Sequence, residues 1–122
     1  MSIMGSPKKR IQFYFKGKKI SLEARECSFL RKGFGLMFRT NKTDNLIFSF
    51  PRNINSSLTS WFVFFPFLAI WLNSEGKIIS LRVINPFTLT IKSEKKFRKV
   101  LEIPLNRDNM ALVRFLVGKG KV

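Results

Sequence analysis

The sequence contains no histidine and only one cysteine, Cys27. These absences exclude a disulfide framework, a zinc finger and a Cys–His nucleophilic pair within one chain. A serine nucleophile would need a lysine or a carboxylate as its base, because no imidazole is present. We therefore predict a non-catalytic protein with no catalytic residues, no metal site, no cofactor and no small-molecule substrate.

Acidic residues are also scarce. Seven Asp and Glu stand against 23 Lys and Arg, which gives a formal net charge of +16. A small domain needs a net charge of only about 2 to 8 to stay soluble, and a larger surplus repels itself in the compact state. A polyanion is the natural neutralising partner. The few carboxylates form no close pair in the sequence that would indicate acid–base or divalent-metal chemistry.

Long hydrophobic runs are absent except in one segment. Residues 53–74 carry no charge, and the 15 residues of Leu58–Leu72 are the most apolar part of the chain. A membrane-spanning helix needs about 20 apolar residues, whereas this run contains a central Pro66 and many aromatic and β-branched residues. Two buried strands joined or bent at Pro66 fit this composition better.

The pattern of apolar residues predicts a strand-rich fold. With 122 residues, 45% of them hydrophobic, the chain has the size of one domain. Strands are predicted where apolar and polar residues alternate between turn residues: at 11–15 and 19–25, which form a hairpin around Gly17, and at 46–50, 77–84, 87–91 and 100–103. Short helices are predicted at 28–34, capped by Ser28, and at 108–117, capped by Asp108.

The ends of the chain are polar and basic. Residues 1–10 lack the apolar core of a secretory signal, so we expect a cytoplasmic protein. The sequence predicts a flexible N-terminal tail over 1–10 and a single β-rich α+β domain over 11–122, with one or two short helices and a basic C-terminal tail.

Several segments together resemble the uncharacterised family called domain of unknown function 192 (DUF192). The segments are Gly35–Arg39, Asn45–Phe50, Pro66, Gly76–Ile79, Pro86 and Val100–Ile103, in that order and spacing. The resemblance covers roughly residues 19–122. It implies a small β-rich α+β domain with a curled, barrel-like, mostly antiparallel sheet, in agreement with the strand pattern.

The chain departs from this family at polar positions. Thr59–Val63 lacks an Asn-Thr pair that is usual in the family, Leu68 stands where the resemblance implies Asp, and Lys119 follows Gly118 in place of Asp. If the family binds a small ligand there, this chain has lost the groups that would hydrogen-bond it. We interpret the chain as a retained scaffold that binds a polyanion.

Nucleotide-binding motifs are incomplete. Lys32–Gly35 matches the opening of the RNA-recognition-motif octamer, but Leu36 and Arg39 occupy positions where aromatic residues are required. Gly33 and Gly35 are too few for a dinucleotide fingerprint, and no P-loop pattern occurs. No motif therefore identifies the polyanion.

The positive charge is concentrated in two clusters and at the ends. Lys8–Lys19 contains six positive and no negative residues, and Lys92–Lys99 contains five positive residues against Glu94. Lys and Arg gain affinity for phosphates through counterion release. The predicted RNA-binding residues are Lys8, Lys9, Arg10, Lys16, Lys18, Lys19, Arg31, Lys32, Arg39, Lys92, Lys95, Lys96, Arg98, Lys99, Lys119 and Lys121.

A small basic body with basic ends and no recognisable major-groove helix resembles ribosomal proteins. We therefore predict a ribosome-associated protein that docks on ribosomal RNA, with neighbouring ribosomal proteins as further partners. Two alternatives stay open: a DNA-binding protein or nucleic-acid chaperone, and a peripheral membrane protein that uses Trp61, Trp71 and the Phe-rich residues of segment 58–72.

Overall fold

The computed structural model of the protein describes residues 8–27, 44–55, 63–88, 91–93 and 95–118. These residues form six strands in one sheet, in the order β1-β2-β3-β6-β4-β5, and one helix. The elements are β1 (Lys8–Phe15), β2 (Lys18–Cys27), β3 (Leu46–Ile54), β4 (Phe67–Leu72), β5 (Ile78–Ile84), β6 (Phe97–Pro104) and α1 (Met110–Val117).

The sheet is mixed and curled. Four of its five strand pairings are antiparallel, and only β2 and β3 run in parallel. The two ends of the sheet approach each other, because the backbone N–H of Tyr14 in β1 donates to the carbonyl of Gly76 before β5 at 2.9 Å. Tyr14 also forms a bridge with Lys77. The predicted β-rich α+β fold with a barrel-like, mostly antiparallel sheet is confirmed.

The opening hairpin forms as predicted. Phe13 is fully buried, and the residues on either side of it alternate between the core and solvent. Lys16 and Gly17 connect the strands with φ values of 50° and 80°, as a two-residue type I′ turn requires. The strand begins at Lys8 and therefore includes residues 8–10 of the predicted tail; residues 1–7 lie outside the described residues. Pairing with β2 extends to Lys8, which lies opposite Arg25.

Two apolar clusters lie on opposite faces of the sheet. One contains residues from all six strands, among them Phe13 and Leu101, and therefore fills the inside of the curl. Val113 and Leu116 of α1 pack against this inner cluster. The outer cluster covers β3, β4, β5 and β6 and includes Trp71. Because β4 lies between the two clusters, all six of its residues are buried.

The burial of β4 explains why the second half of the apolar segment Leu58–Leu72 carries no charge. Phe67–Leu72 is one of the two buried strands predicted there. Residues 63–66 form no strand, and 58–62 lie outside the described residues. Within the described ranges, no helix is long and apolar enough to cross a membrane.

Three predicted boundaries are wrong. Pro51 does not end β3, which continues to Ile54, because the pairing with β6 is irregular between Ser49 and Ile54 and the missing N–H of proline is tolerated at such a bulge. Phe87 begins no strand; its φ of 64° places it in a turn. The residue that caps α1 is Asn109 rather than Asp108. The predicted helix at 28–34 lies outside the described residues.

Asn109 connects three elements. Its side-chain amide donates to the Pro104 carbonyl at 2.8 Å and to Oδ1 of Asn45 at 3.0 Å, so it ties the start of α1 to β6 and to the residue before β3. It makes no side-chain hydrogen bond to the helix that it caps.

We expect Asn109→Ala to lower the free energy of unfolding by about 1–3 kcal/mol, since two partly buried acceptors lose their donor. Urea denaturation would measure this change. The exposed neighbour Asp108 provides the control, because Asp108→Ala should shift stability by no more than about 0.5 kcal/mol. Equal effects of the two substitutions would contradict the connecting role of Asn109.

Candidate nucleic-acid interface

The first three cations of the predicted interface are paired with acids. The β1–β2 register and the start of β3 place a carboxylate beside each one, although the sequence cluster itself contains none. The ion pairs are Lys8–Asp44 at 3.3 Å, Lys9–Glu26 at 2.6 Å and Arg10–Glu23 at 3.7 Å. Such half-exposed pairs add only about 0–1 kcal/mol to stability, and each one partly offsets a positive charge that the sequence analysis assigned to RNA binding.

Asp44 has a second cationic partner besides Lys8. Arg25 donates from Nε at 3.0 Å and from Nη2 at 2.8 Å to Oδ2 of Asp44. Although partial burial alone would raise the pKa of the Asp44 carboxyl, the hydrogen bonds from Arg25 and Lys8 hold that pKa below its ordinary value. Asp44 is therefore an anion that fixes two cations at this end of the sheet.

A polar cavity of about 380 Å³ lies beside Asp44. Its lining carries both signs of charge, so it is suited neither to a simple anion nor to a simple cation. The lining residues are Lys8, Arg10, Glu23, Ala24, Asp44, Asn45, Asn106, Asp108 and Asn109. In the described part of the chain, no cluster of three His, Cys, Asp or Glu residues could hold a metal ion.

The cations at the turn of the hairpin have a different environment. Lys16, Lys18 and Lys19 are exposed, and no acid among the described residues forms an ion pair with them. Instead, the Lys16 ammonium lies 5.2 Å from the ring centroid of Phe15, and that of Lys18 lies 5.8 Å from the ring of Phe115 in α1. This turn keeps its positive charge available for a ligand.

A seam runs where β1 meets the β4–β5 turn, and two hollows lie along it. The first, of about 280 Å³, is lined by Lys9, Arg10, Ile11, Gln12, Ile47, Leu72, Gly76 and Lys99. The second, of about 570 Å³, is lined by Tyr14, Phe15, Lys16, Gly17, Lys77 and Ile78. The curl of the sheet thus brings Lys99 of the second sequence cluster beside Lys9 and Arg10 of the first.

Gly76 allows the seam to close. Its φ of 84° lies in the left-handed region, and a Cβ there would meet the Gln12 carbonyl oxygen at 3.4 Å. Glycine is the residue that adopts this conformation and close approach without strain. The next residue, Lys77, adds a cation that sequence reasoning missed; its position directly after the turn was the available signal.

The residues of the second sequence cluster, Lys92–Lys99, lie in different environments. Lys92, Lys95 and Lys96 are exposed, whereas Arg98 donates from Nε to the Phe50 carbonyl at 2.8 Å and is held against β3. Lys99 is half-buried in the seam and has no acidic partner among the described residues. The predicted residues Arg31, Lys32, Arg39, Lys119 and Lys121 lie outside the described residues.

Glu102 is an acid that is buried and therefore adds no negative charge to the surface. It is 5% exposed in the middle of the sheet, and burial raises the pKa of its carboxyl to about 8. Leu46 and Ala69 lie directly opposite it on the neighbouring strands. Because Glu102 is mostly protonated at pH 7, the net charge exceeds its formal value by about one unit.

Comparison with known proteins agrees with this fold. The family model for DUF192, described as "Uncharacterized ACR", matches residues 13–111, and the chain belongs to that family. No curated protein matches the sequence. Leu68, at the position where the resemblance implies Asp, is completely buried in the inner cluster, so this position offers no polar group to a ligand.

Two crystal structures share the fold. One, from Sinorhizobium meliloti 1021, carries the provisional description of a transcription regulator; it is 19% identical, with a TM-score of 0.73 and 88% of each chain covered. The other, from Novosphingobium aromaticivorans, is a protein of unknown function that is 14% identical, with a TM-score of 0.72; the match covers 87% of this chain and 79% of that one. At these identities the likeness concerns the fold alone.

Proposed function

We propose that the protein binds RNA without catalysis and docks on ribosomal RNA as a ribosome-associated protein, through Lys and Arg contacts to phosphates. The observation that supports this most directly is the seam. Cations from both sequence clusters line it, and Lys16 and Lys99 there have no acidic partner in the described part of the chain.

Counterion release gives the proposal a quantitative form. Five cations line the two hollows: Lys9, Arg10, Lys16, Lys77 and Lys99. If each contacts one phosphate, the logarithm of the association constant should fall with the logarithm of salt concentration with a slope of about −3.5 for single strands and −4.5 for duplexes. A slope near zero would contradict phosphate binding at the seam.

Charge reversal tests the location of the site. The triple variant Lys16→Glu, Lys77→Glu, Lys99→Glu places three negative charges in the seam. We expect it to weaken binding of a ribosomal RNA fragment at least about 30-fold at 0.1 M salt. The slope of the logarithm of affinity against the logarithm of salt concentration should decrease in magnitude by the amount that corresponds to about three phosphate contacts. Fluorescence anisotropy across a salt titration would measure both.

A second triple variant changes the net charge by the same amount elsewhere. Lys92→Glu, Lys95→Glu, Lys96→Glu alters exposed residues outside the two hollows, and we expect a smaller loss that high salt removes. Equal losses in the two variants would show that overall charge, and not the seam, determines affinity. Absence of the wild-type protein from ribosomal subunits in low-salt lysate gradients would contradict the ribosomal assignment.

DNA is the second candidate ligand, because the same seam cations could contact its phosphates. A phosphate-binding seam serves either nucleic acid, so competition decides between them. We expect unlabelled ribosomal RNA to displace the labelled fragment at lower concentration than duplex DNA of equal length. The opposite order would favour the DNA-binding alternative.

A further inference from the structure

The hairpin turn and α1 together expose aromatic rings. Tyr14 is 40% exposed and Phe115 is 50% exposed. Phe15 lies beside Phe115, with ring centroids 5.7 Å apart in an edge-to-face arrangement. Phe15 of the hairpin thus contacts Phe115 of α1, and Phe15 and Tyr14 both line the hollow at the end of the seam.

Lysines surround these rings. The ammonium groups of Lys16 and Lys18 lie 5.2 Å and 5.8 Å from the centroids of Phe15 and Phe115. Lys77 lines the adjacent hollow together with Tyr14. One acid pairs with a lysine of this group: the Glu75 carboxylate lies 3.7 Å from the Lys77 ammonium, with both side chains about 70% exposed. Such a solvated pair separates readily when a phosphate approaches.

We propose that this surface, formed by Tyr14, Phe15 and Phe115 with Lys16, Lys18 and Lys77, binds single-stranded RNA by stacking its unpaired bases on the aromatic rings. The inference extends the proposed function and depends on it. Proteins that bind single strands combine a basic groove for the backbone with aromatic side chains for the bases, and both parts are present here within one patch.

The shape of the site suits a flipped-out or unpaired base. The hollow beside Tyr14 has a volume of about 570 Å³, which lies in the range of small-molecule pockets in general, about 300–1,000 Å³. Its wall is rigid, since the Tyr14 backbone is hydrogen-bonded to Gly76 and the hairpin turn is of the tight two-residue type. A duplex presents no free base face to this surface, because its bases are stacked on one another.

The positive charge of this surface favours a single-stranded RNA over other kinds of ligand. A hydrophobic protein partner would be opposed by the three exposed ammonium groups of Lys16, Lys18 and Lys77, which must lose water on contact. A single strand supplies phosphates for these groups and base faces for the rings. An anionic membrane shares the negative charge but offers no planar rings for stacking.

The test compares two double variants in binding to a decamer of uridines and to a duplex RNA with the same number of phosphates. Tyr14→Ser with Phe115→Ser removes the two most exposed of the three proposed stacking rings. Phe64→Ser with Phe87→Ser removes an exposed aromatic pair, 58% and 50% exposed and 5.5 Å apart, elsewhere on the protein. Circular dichroism establishes that each variant is folded.

We expect the wild type to bind the single strand more tightly than the duplex. The Tyr14/Phe115 variant should lose about 10- to 100-fold in affinity for the single strand with an unchanged salt slope, and the Phe64/Phe87 variant should lose less than about twofold. Phe115→Trp, which keeps a stacking ring, should retain affinity even if the double variant fails to fold, whereas Phe115→Lys should not.

Stronger binding to the duplex, or an unchanged single-strand affinity in the Tyr14/Phe115 variant, would overturn the stacking inference. If charge reversal of the seam abolishes binding while removal of the rings does not, RNA binding stands and stacking fails. If the wild type binds neither RNA but sediments with anionic phospholipid vesicles, both the stacking inference and the proposed function fail.

Discussion

Replacing Glu102 by glutamine is expected to stabilise the protein, and most strongly above pH 8. Burial raises the pKa of the folded-state carboxyl to about 8, from an ordinary value of 4.5. Stability from protonated Glu102 is therefore fully present below pH 4.5 and is lost as the pH rises through 8. The ionised form would cost up to about 5 kcal/mol in the folded state, and a neutral amide avoids that cost.

The described residues around Glu102 supply no cation that would relieve this cost. Leu46 and Ala69 flank it on the adjacent strands. Arg25 and Arg82 lie one strand further out on either side. Arg25 donates to Asp44 at 2.8 Å, and Arg82 lies 3.5 Å from the Lys92 carbonyl. Among the described residues, none forms an ion pair with Glu102.

Urea denaturation at pH 5, 7 and 9 would measure the effect. The free-energy difference between Glu102→Gln and the wild type should be small at pH 5 and should grow to several kcal/mol at pH 9. Glu75→Gln, at an exposed acid, should show no such growth. If the wild type and Glu102→Gln lose stability in parallel between pH 5 and pH 9, Glu102 ionises normally in the folded state.

The fold was largely predictable because most of its strands carry a local signal. The hairpin around Gly17 and the strand over 77–84 follow from alternation and turn residues, and both are present. Pro51 was misleading because proline usually ends a strand, so β3 was predicted to stop before it. In the structure, the irregular pairing between β3 and β6 tolerates Pro51 inside the strand. Phe87 was misleading because its alternating neighbours give no signal for a residue with positive φ.

The site was less predictable because charge pairing depends on register and topology. The cluster Lys8–Lys19 is uniformly positive in sequence, yet Asp44 reaches Lys8 only when β3 is placed beside β2. The proximity of Lys9 and Lys99 depends on the curl that brings β1 to the β4–β5 turn. Phe115 could be identified only as one side of an amphipathic helix, and its position beside Phe15 required the packing of α1.

Trp71→Ala is expected to lower the free energy of unfolding by about 3–5 kcal/mol, as for other large-to-small substitutions of aromatic core residues. Trp71 is completely buried in the outer cluster, where it lies opposite Val100 on β6. No described residue accepts a hydrogen bond from its indole Nε1. Trp71→Phe should therefore cost much less, because it removes an unpaired donor together with part of the ring. Urea denaturation would give both values.

The same pair of variants tests the membrane alternative, which assigned Trp71 to a lipid-binding segment. A tryptophan that inserts into lipid must be accessible before or during binding, whereas Trp71 is buried on β4 between two apolar clusters. Trp71→Phe should therefore leave sedimentation with phosphatidylserine vesicles unchanged. Loss of vesicle binding in Trp71→Phe at unchanged stability would restore the membrane alternative. A stability loss in Trp71→Ala with unchanged vesicle binding in Trp71→Phe assigns this residue to the core of the sheet.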